Sequence, residues 1–162
     1  AQYWPNKCSV ELAILDSGRG FKSSLSGNPF LDKNMTDRAA VNYALLPGIS
    51  GKMYKGKYQD PYDEWENSGF GLYMASEVCR NGGSFFVCTN TAGALLEKTQ
   101  KENIELHTPC TAVRLRLYTN LISPTSQALP LYQKKGQAVA QKIRGANITA
   151  SAASTMLTRD FI

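Results

Sequence analysis

The stretch Leu12-Ala13-Ile14-Leu15-Asp16-Ser17-Gly18-Arg19-Gly20-Phe21 decides how this chain folds. Residues 9–15 are mostly apolar and alternate poorly, which predicts a central β-strand covered on both faces. Asp16 ends that strand. The two glycines that follow let the backbone turn tightly against a flat ligand, because glycine carries no β-carbon. The Asp16 carboxylate is then placed to accept a hydrogen bond from an amine; the alternative is that it only caps the turn, as aspartate often does before glycine.

A second glycine motif, Ser68-Gly69-Phe70-Gly71-Leu72, comes directly before an apolar-periodic segment that predicts a helix over residues 72–80. The first N–H groups of a helix have no partner within it and carry partial positive charge. Gly69, Gly71 and the N–H groups of Phe70 and Leu72 are therefore predicted to face an anion.

A third segment, Thr108-Pro109-Cys110-Thr111, precedes a strand predicted over residues 112–117. In this order, the three motifs resemble the Bergerat-type ATP-binding fold of the GHKL superfamily, which includes gyrases, heat-shock chaperones, sensor histidine kinases and mismatch-repair ATPases. The resemblance covers roughly residues 9–117. It implies an α/β fold of the α+β two-layer sandwich type, with ATP as the ligand and Mg²⁺ as the accompanying ion.

The resemblance also implies roles for individual residues. Asp16 corresponds to the aspartate that accepts a hydrogen bond from the exocyclic amine of adenine. Gly18 and Gly20 correspond to the glycines that let the backbone approach the nucleotide, and the second glycine motif to the loop that faces the phosphates. Thr111 corresponds to the threonine whose hydroxyl lies near the adenine, although Cys110 replaces the glycine that precedes it in the family.

Family members carry a Glu-x-x-x-Asn motif on a helix upstream of the first glycine motif, where the asparagine binds magnesium and the glutamate activates water. Residues 1–11 contain no such motif. Either the motif has been lost, or the fold is truncated at its N-terminus; the second interpretation is favoured because those helices would cover one face of the sheet. No catalytic and no metal-binding residue is therefore predicted.

Residues 21–68 separate the two glycine motifs and are predicted to form a mobile lid. Inside it, Thr36-Asp37 begins a short helix that Pro47-Gly48 ends. The following segment is rich in glycine and tyrosine and carries Lys52, Lys55 and Lys57. Lys52 is predicted to contact the phosphates when the lid closes, whereas the alternative is a set of solvated lysines.

The remainder of the chain is predicted as a strand over residues 84–89, a turn over residues 90–93, a polar connection over residues 97–105, and a tail. The division is thus a domain over residues 1–117 and a helical basic tail over residues 118–162, with helices near residues 137–143 and 150–157 that pack on the domain or on another copy of it. The tail carries a net charge of +4 from Lys134, Lys135, Lys142, Arg144, Arg159 and Asp160. A solvated helix face is the favoured interpretation, and binding to nucleic acid or an acidic partner is the alternative.

The composition limits the remaining possibilities. A chain of 162 residues with 43% hydrophobic residues can bury one core. No apolar run is long enough to cross a bilayer and the start lacks a signal pattern, so a cytoplasmic protein without membrane contact is expected. Four cysteines without a Cys-x-x-Cys pair, and a single His107 without metal-ligand spacing to them, predict buried thiols and no metal site.

These patterns favour an ATP-binding module in which the nucleotide closes the lid and changes contacts with a protein partner or with another copy. Whether it hydrolyses ATP is left open. One alternative is an inactive pseudo-ATPase that serves as a scaffold. Another is a histidine kinase that acts on a partner protein, since His107 is followed by Thr108-Pro109 and not by the acidic residue common after a phosphoacceptor histidine.

Overall fold

The fold is a six-stranded antiparallel sheet with helices packed on one side, and a computed structural model describes it over residues 1–58 and 67–151. The strands lie in the order β1-β2-β6-β3-β4-β5. This arrangement confirms the α+β class. The elements in chain order are β1 Gln2–Trp4, a 3-10 turn Pro5–Lys7, β2 Ser9–Asp16, α1 Gly20–Leu25, α2 Asp37–Ala44, α3 Gly71–Gly82, β3 Gly83–Thr89, β4 Ala92–Leu96, β5 Lys101–Glu105, β6 Thr111–Tyr118 and α4 Thr125–Ala140.

Strand β6 has a covered face and an open face, as its alternating sequence predicts. Val113, Leu115 and Leu117 pack against the core that the sheet shares with α2 and α3, where Phe85 and Val87 of β3 are fully buried. Arg114 and Arg116 lie on the opposite face because successive strand residues point to opposite sides. The helices thus cover one face of the sheet.

Helix α2 begins where the sequence predicts. The hydroxyl oxygen of Thr36 accepts a hydrogen bond from the Ala39 N–H at 3.2 Å, which satisfies one of the donors at the helix start. The next residue, Asp37, accepts hydrogen bonds from the side chains of Asn90 and Thr91 in the β3–β4 turn. Burial opposes ionisation of Asp37, but these hydrogen bonds outweigh it and lower its pKa. Helix α2 is thereby attached to the sheet at its first turn.

Helix α4 packs on α3. The predicted domain and the predicted tail, which meet at residue 117, therefore share one hydrophobic core. Leu129 and Ala140 of α4 are buried in the same cluster as Phe70 and Tyr73 of the α3 region. A β-carbon at Gly136 would lie 2.5 Å from the Tyr73 ring, so α4 approaches α3 closely at that glycine. Of the two predicted tail helices, one is thus observed with an earlier start, and the other lies outside the described residues except for positions 150 and 151.

The prediction that residues 9–15 form a strand covered on both faces is wrong. Strand β2 is the second strand from one edge, and Leu12, Ile14 and Leu15 are 39%, 54% and 71% exposed. The helices α2 and α3 instead contact β3, β4 and β6. An apolar run predicts that a strand has apolar neighbours, but it does not say which strands the helices cover.

Three strands and one helix were not predicted. The segment over residues 97–105 is a connection only at its beginning, because Lys101–Glu105 forms β5 at the sheet edge. Strand β4 takes up two of the residues expected in a turn, and β1 and α1 carry weak sequence signals. Only one residue of the edge strand β5, Ile104, is apolar. Its sequence therefore lacks the apolar alternation that would predict a strand.

The part of the predicted lid that the structure describes is folded onto the core. Leu25, Met35, Val41, Ile49 and Met53 are all at most 5% exposed. Moving residues 21–53 as one piece would expose these side chains, so the lid hypothesis narrows to the chain after Met53. Residues 59–66 of the predicted lid lie outside the described residues.

Candidate functional site

Three polar residues line up across neighbouring strands at one end of the sheet. Asp16 of β2 is paired in register with Thr111 of β6, and Thr111 is paired with Thr89 of β3. The hydroxyl groups of Thr89 and Thr111 are 3.0 Å apart and hydrogen-bonded. The structure therefore brings together Asp16 and Thr111, which are 95 positions apart in the chain.

The Asp16 side chain caps the turn that follows β2. The N–H of Gly18 donates to Oδ1 of Asp16 at 2.8 Å. A β-carbon at Gly18 would lie within 3.0 Å of both carboxylate oxygens, so a glycine keeps this turn tight. Among the hydrogen bonds of the described residues, Oδ2 of the exposed Asp16 accepts none. Capping and ligand binding are compatible, because each uses a different oxygen.

Gly20 holds the start of α1 against the row of polar residues. Its φ is +73°, a backbone conformation that favours glycine, and a β-carbon there would lie 2.8 Å from the hydroxyl oxygen of Thr89. Arg19 and Phe21, on either side of Gly20, line a cleft. The turn after Asp16 thus connects the row of polar residues to that cleft.

The cleft lies between the start of α3, helix α1 and the chain after α2. Its volume of about 380 Å³ falls in the range usual for small-molecule sites. Gly69, Gly71 and Leu72 form one wall, and Lys52 contributes a positive charge from the predicted lid. The described residues of the lining are Arg19, Phe21, Ser24, Leu25, Ala44, Ile49, Ser50, Gly51, Lys52, Asn67, Gly69, Gly71 and Leu72.

The backbone before α3 is held in a conformation that only glycine adopts easily. Gly69 has φ of +78°, and its carbonyl accepts a hydrogen bond from the Gly48 N–H at 3.1 Å. Its own N–H donates to the Asn67 side chain at 3.0 Å. Within the described residues, no hydrogen bond uses the N–H groups of Phe70, Gly71 and Leu72. Of these residues, Gly71 and Leu72 line the cleft, and their N–H groups, at the positive end of a 12-residue helix, suit an anion there.

Phe70 and Lys52, two of the predicted site residues, differ in their exposure. Phe70 is completely buried as a whole residue, packs edge-on against Tyr73 at 6.5 Å between ring centroids and is not part of the cleft lining, so the structure does not present it to a ligand. Lys52 is exposed, as both the functional and the solvated interpretation require. The structure brings Lys52, Gly69, Gly71 and Leu72 to one cleft. Asp16, Gly18, Gly20 and Thr111 are not in its lining; they are connected to it through the turn whose residues Arg19 and Phe21 line it.

Sequence reasoning missed Thr89 and Arg19. Thr89 is fully buried, and its role depends on the register of β3 against β6, which the sequence does not reveal. Arg19 did carry a signal, since it lies between the two glycines of the first motif. A cation between two flexible residues at the mouth of a cleft is well placed to meet an anion.

Among the described residues, those that line the cleft include no carboxylate and no histidine. Over residues 1–58 and 67–151, no group of three or more histidine, cysteine, aspartate or glutamate side chains is arranged to hold a metal ion. These residues therefore do not fit a protein-bound magnesium ion. His107 lines a different cleft together with Thr36, Asp37, Thr91 and Glu105.

Of the helices in the described part of the chain, none has both the length and the apolar character needed to cross a membrane. All four cysteines are free thiols, with Cys79 and Cys88 buried and Cys8 and Cys110 half-buried. Burial raises the pKa of the Cys79 thiol to about 11. Comparison with protein-family models, with curated proteins and with solved structures finds no match to this chain.

Proposed function

We propose that this chain is an ATP-binding conformational module of the histidine-kinase-like ATPase type, built on a Bergerat-type fold. The observation that carries the proposal is that Asp16, paired with Thr111, begins the turn whose Arg19 and Phe21 line the cleft at the start of α3. A purine nucleotide has an amine at one end and phosphates at the other. The two parts of the site offer an acceptor for the first and donors for the second.

At the base end, Asp16 accepts a hydrogen bond from the adenine amine through Oδ2, while Oδ1 stays bound to the Gly18 N–H. This second contact holds the carboxylate in place before the ligand arrives, which reduces the entropy lost on binding. The Thr111 hydroxyl, oriented by Thr89, has a remaining position for a hydrogen bond to the base or to a bridging water.

At the phosphate end, the N–H groups of Gly71 and Leu72 donate to phosphate oxygens, and Arg19 and Lys52 balance the charge. Lys52 belongs to the segment that joins the core to the chain after Met53. A nucleotide that holds the Lys52 side chain would order residues 54–58, which follow Met53, and this is the conformational response in the proposal.

The proposal is tested by calorimetric titration with ATP, together with amide hydrogen exchange in the presence and absence of a non-hydrolysable ATP analogue. We expect binding and slower exchange at residues 54–57 and at the N–H groups of Gly71 and Leu72, with the amides of β4 and β5 unchanged as the internal control. Absence of binding would contradict the proposal. Binding with equal exchange at residues 54–57 in both states would contradict the lid.

Binding without hydrolysis is the second candidate, and the cleft lining favours it. Turnover needs a base aligned on water, and none of the described residues that line this cleft is a carboxylate or a histidine. In this version the chain is a pseudo-ATPase scaffold, and nucleotide occupancy alone changes its partner contacts.

A phosphate-release assay on this chain distinguishes the two candidates. We expect release no faster than that of a matched variant, Lys52→Ala, whose bound phosphates lose one cation. Release well above that variant would show that a base is supplied by another part of the protein. A histidine kinase that phosphorylates a partner protein would instead transfer the phosphate to that partner, so adding candidate partners to the same assay tests that alternative.

The proposal includes a cytoplasmic location and a protein partner or a second copy as the target of the conformational change. The four free thiols suit a reducing compartment. Lys135 of the basic tail is paired with the buried Glu77 at 2.8 Å, which supports a structural role for that charge over nucleic-acid binding. Magnesium, which the resemblance implies alongside ATP, has no assigned ligand here.

A further inference from the structure

The face of the sheet opposite the helices carries a row of side chains that runs across five strands. Ala13 of β2 is paired with Arg114 of β6, Arg114 with Phe86 of β3, Phe86 with Leu95 of β4, and Leu95 with Glu102 of β5. Residues paired directly across antiparallel strands lie on the same face. The row therefore has an apolar centre and opposite charges toward its two sides.

The positive charge in this row is not neutralised within the described chain. The neighbouring Arg116 forms a salt bridge with Glu11 at 2.7 Å, but no salt bridge of the described residues includes Arg114. The Nε atom of Arg114 is buried without a hydrogen-bond partner among those residues. A buried guanidinium nitrogen that has lost water and gained no acceptor is unfavourable, so this position favours an incoming carboxylate.

The negative charge in the row is too distant to serve as that acceptor. Glu102 is exposed on the edge strand β5, three strands away from Arg114, and adjacent strands are about 4.8 Å apart. The two charges are thus separated by about 14 Å along one row. They lie at equal distances from the midpoint between Phe86 and Leu95, because each is one strand beyond one of these residues.

We propose that this face is the interface of a symmetric dimer, with a second copy of the chain as its occupant. A two-fold axis parallel to the strands and midway between β3 and β4 places Arg114 of each copy opposite Glu102 of the other. The same axis places Phe86 opposite Leu95, so aromatic and aliphatic side chains form the centre of the contact. An interface of this kind is isologous, and two sheets pack face to face in many β-sandwiches.

The surface chemistry fits this occupant. Phe86 and Leu95 are half-buried with no helix over them in the described structure, and Arg and aromatic side chains are enriched at protein interfaces. The charge pair between Arg114 of one copy and Glu102 of the other forms twice because of the symmetry. Dimerisation would therefore supply an acceptor for each Arg114 and remove water from the apolar centre.

Sedimentation velocity over a range of protein concentrations tests the dimer, with a charge reversal in β5 and its matched control. We expect the unmodified chain to form a concentration-dependent dimer. Glu102→Lys places like charges opposite each other twice, and we expect it to raise the dissociation constant about tenfold or more. Glu105→Lys is the control, because it makes the same charge change on the same strand but on the other face.

A double variant, Arg114→Glu with Glu102→Arg, restores complementarity and is expected to dimerise more tightly than Glu102→Lys. If Arg114→Glu prevents folding, the comparison of Glu102→Lys with Glu105→Lys is enough to test the dimer. Glu102 and Glu105 are both exposed, so neither substitution should prevent folding. A chain that is monomeric at every soluble concentration would overturn the proposal and leave this face for a different protein. Equal dissociation constants for the two β5 variants would also overturn it.

Discussion

Replacing Asp16 by asparagine is expected to weaken ATP binding about tenfold to a hundredfold while leaving the fold intact. The carboxylate accepts a hydrogen bond from the adenine amine, and a charged acceptor of this kind contributes about 1.5–3 kcal/mol. Asparagine keeps one oxygen for the Gly18 N–H, which preserves the turn. Its Nδ2 group then faces the adenine amine, so two donors oppose each other.

Calorimetric titration of the two proteins with ATP measures this effect, and thermal denaturation confirms that the variant is folded. Asp32→Asn is the matched control, because Asp32 caps a turn in the same way, accepting the Asn34 N–H at 2.9 Å, and does not line the cleft. The control variant should bind ATP like the unmodified chain. Equal affinities for Asp16→Asn and the unmodified chain would remove the adenine contact from the proposal and leave Asp16 as a turn cap only.

The parts of the fold that were predicted correctly are those determined by local sequence. The alternation of Val113, Leu115 and Leu117 with arginines predicts a strand with one open face, and Thr36 predicts the start of α2 through a side-chain hydrogen bond that spans three residues. Helix α3 likewise follows from its apolar period and its glycine end. Each of these depends on neighbours in the chain.

The parts that were missed depend on tertiary contacts. Helix α4 begins at Thr125 even though Pro130 lies inside it and removes one backbone donor, because Ala128 and Leu129 are buried against the rest of the core. The exposure of Leu15 depends on the order of the strands in the sheet. The candidate site also depends on both local sequence and tertiary contacts. The motifs alone predict that Asp16 and Thr111 belong to one binding site, whereas the contact of Thr89 with Thr111 depends on the register between β3 and β6.

The glycines at the start of α3 are expected to have separate roles, which alanine substitutions can distinguish. Gly69 has φ of +78°, and a β-carbon there would lie 2.8 Å from the carbonyl oxygen of Ile49. Gly69→Ala should therefore destabilise the fold by about 1–3 kcal/mol, measured by chemical denaturation. A β-carbon at Gly71 would meet no atom within 4 Å, and alanine is a better helix former than glycine, so Gly71→Ala should leave stability unchanged or slightly higher.

The expected effect of Gly71→Ala on binding is large in spite of this intact stability. Gly71 lines the cleft, so the open space beside it is where the phosphates lie in the proposed complex, and an added methyl group there would block them. We expect its affinity for ATP to fall about tenfold or more, since a misplaced charged group loses hydrogen bonds worth about 1.5–3 kcal/mol each. A sequence motif assigns both glycines to the same task, whereas the structure separates a glycine required by the backbone from one required by the ligand. If Gly71→Ala is stable and binds ATP as tightly as the unmodified chain, the phosphates do not lie at the start of α3.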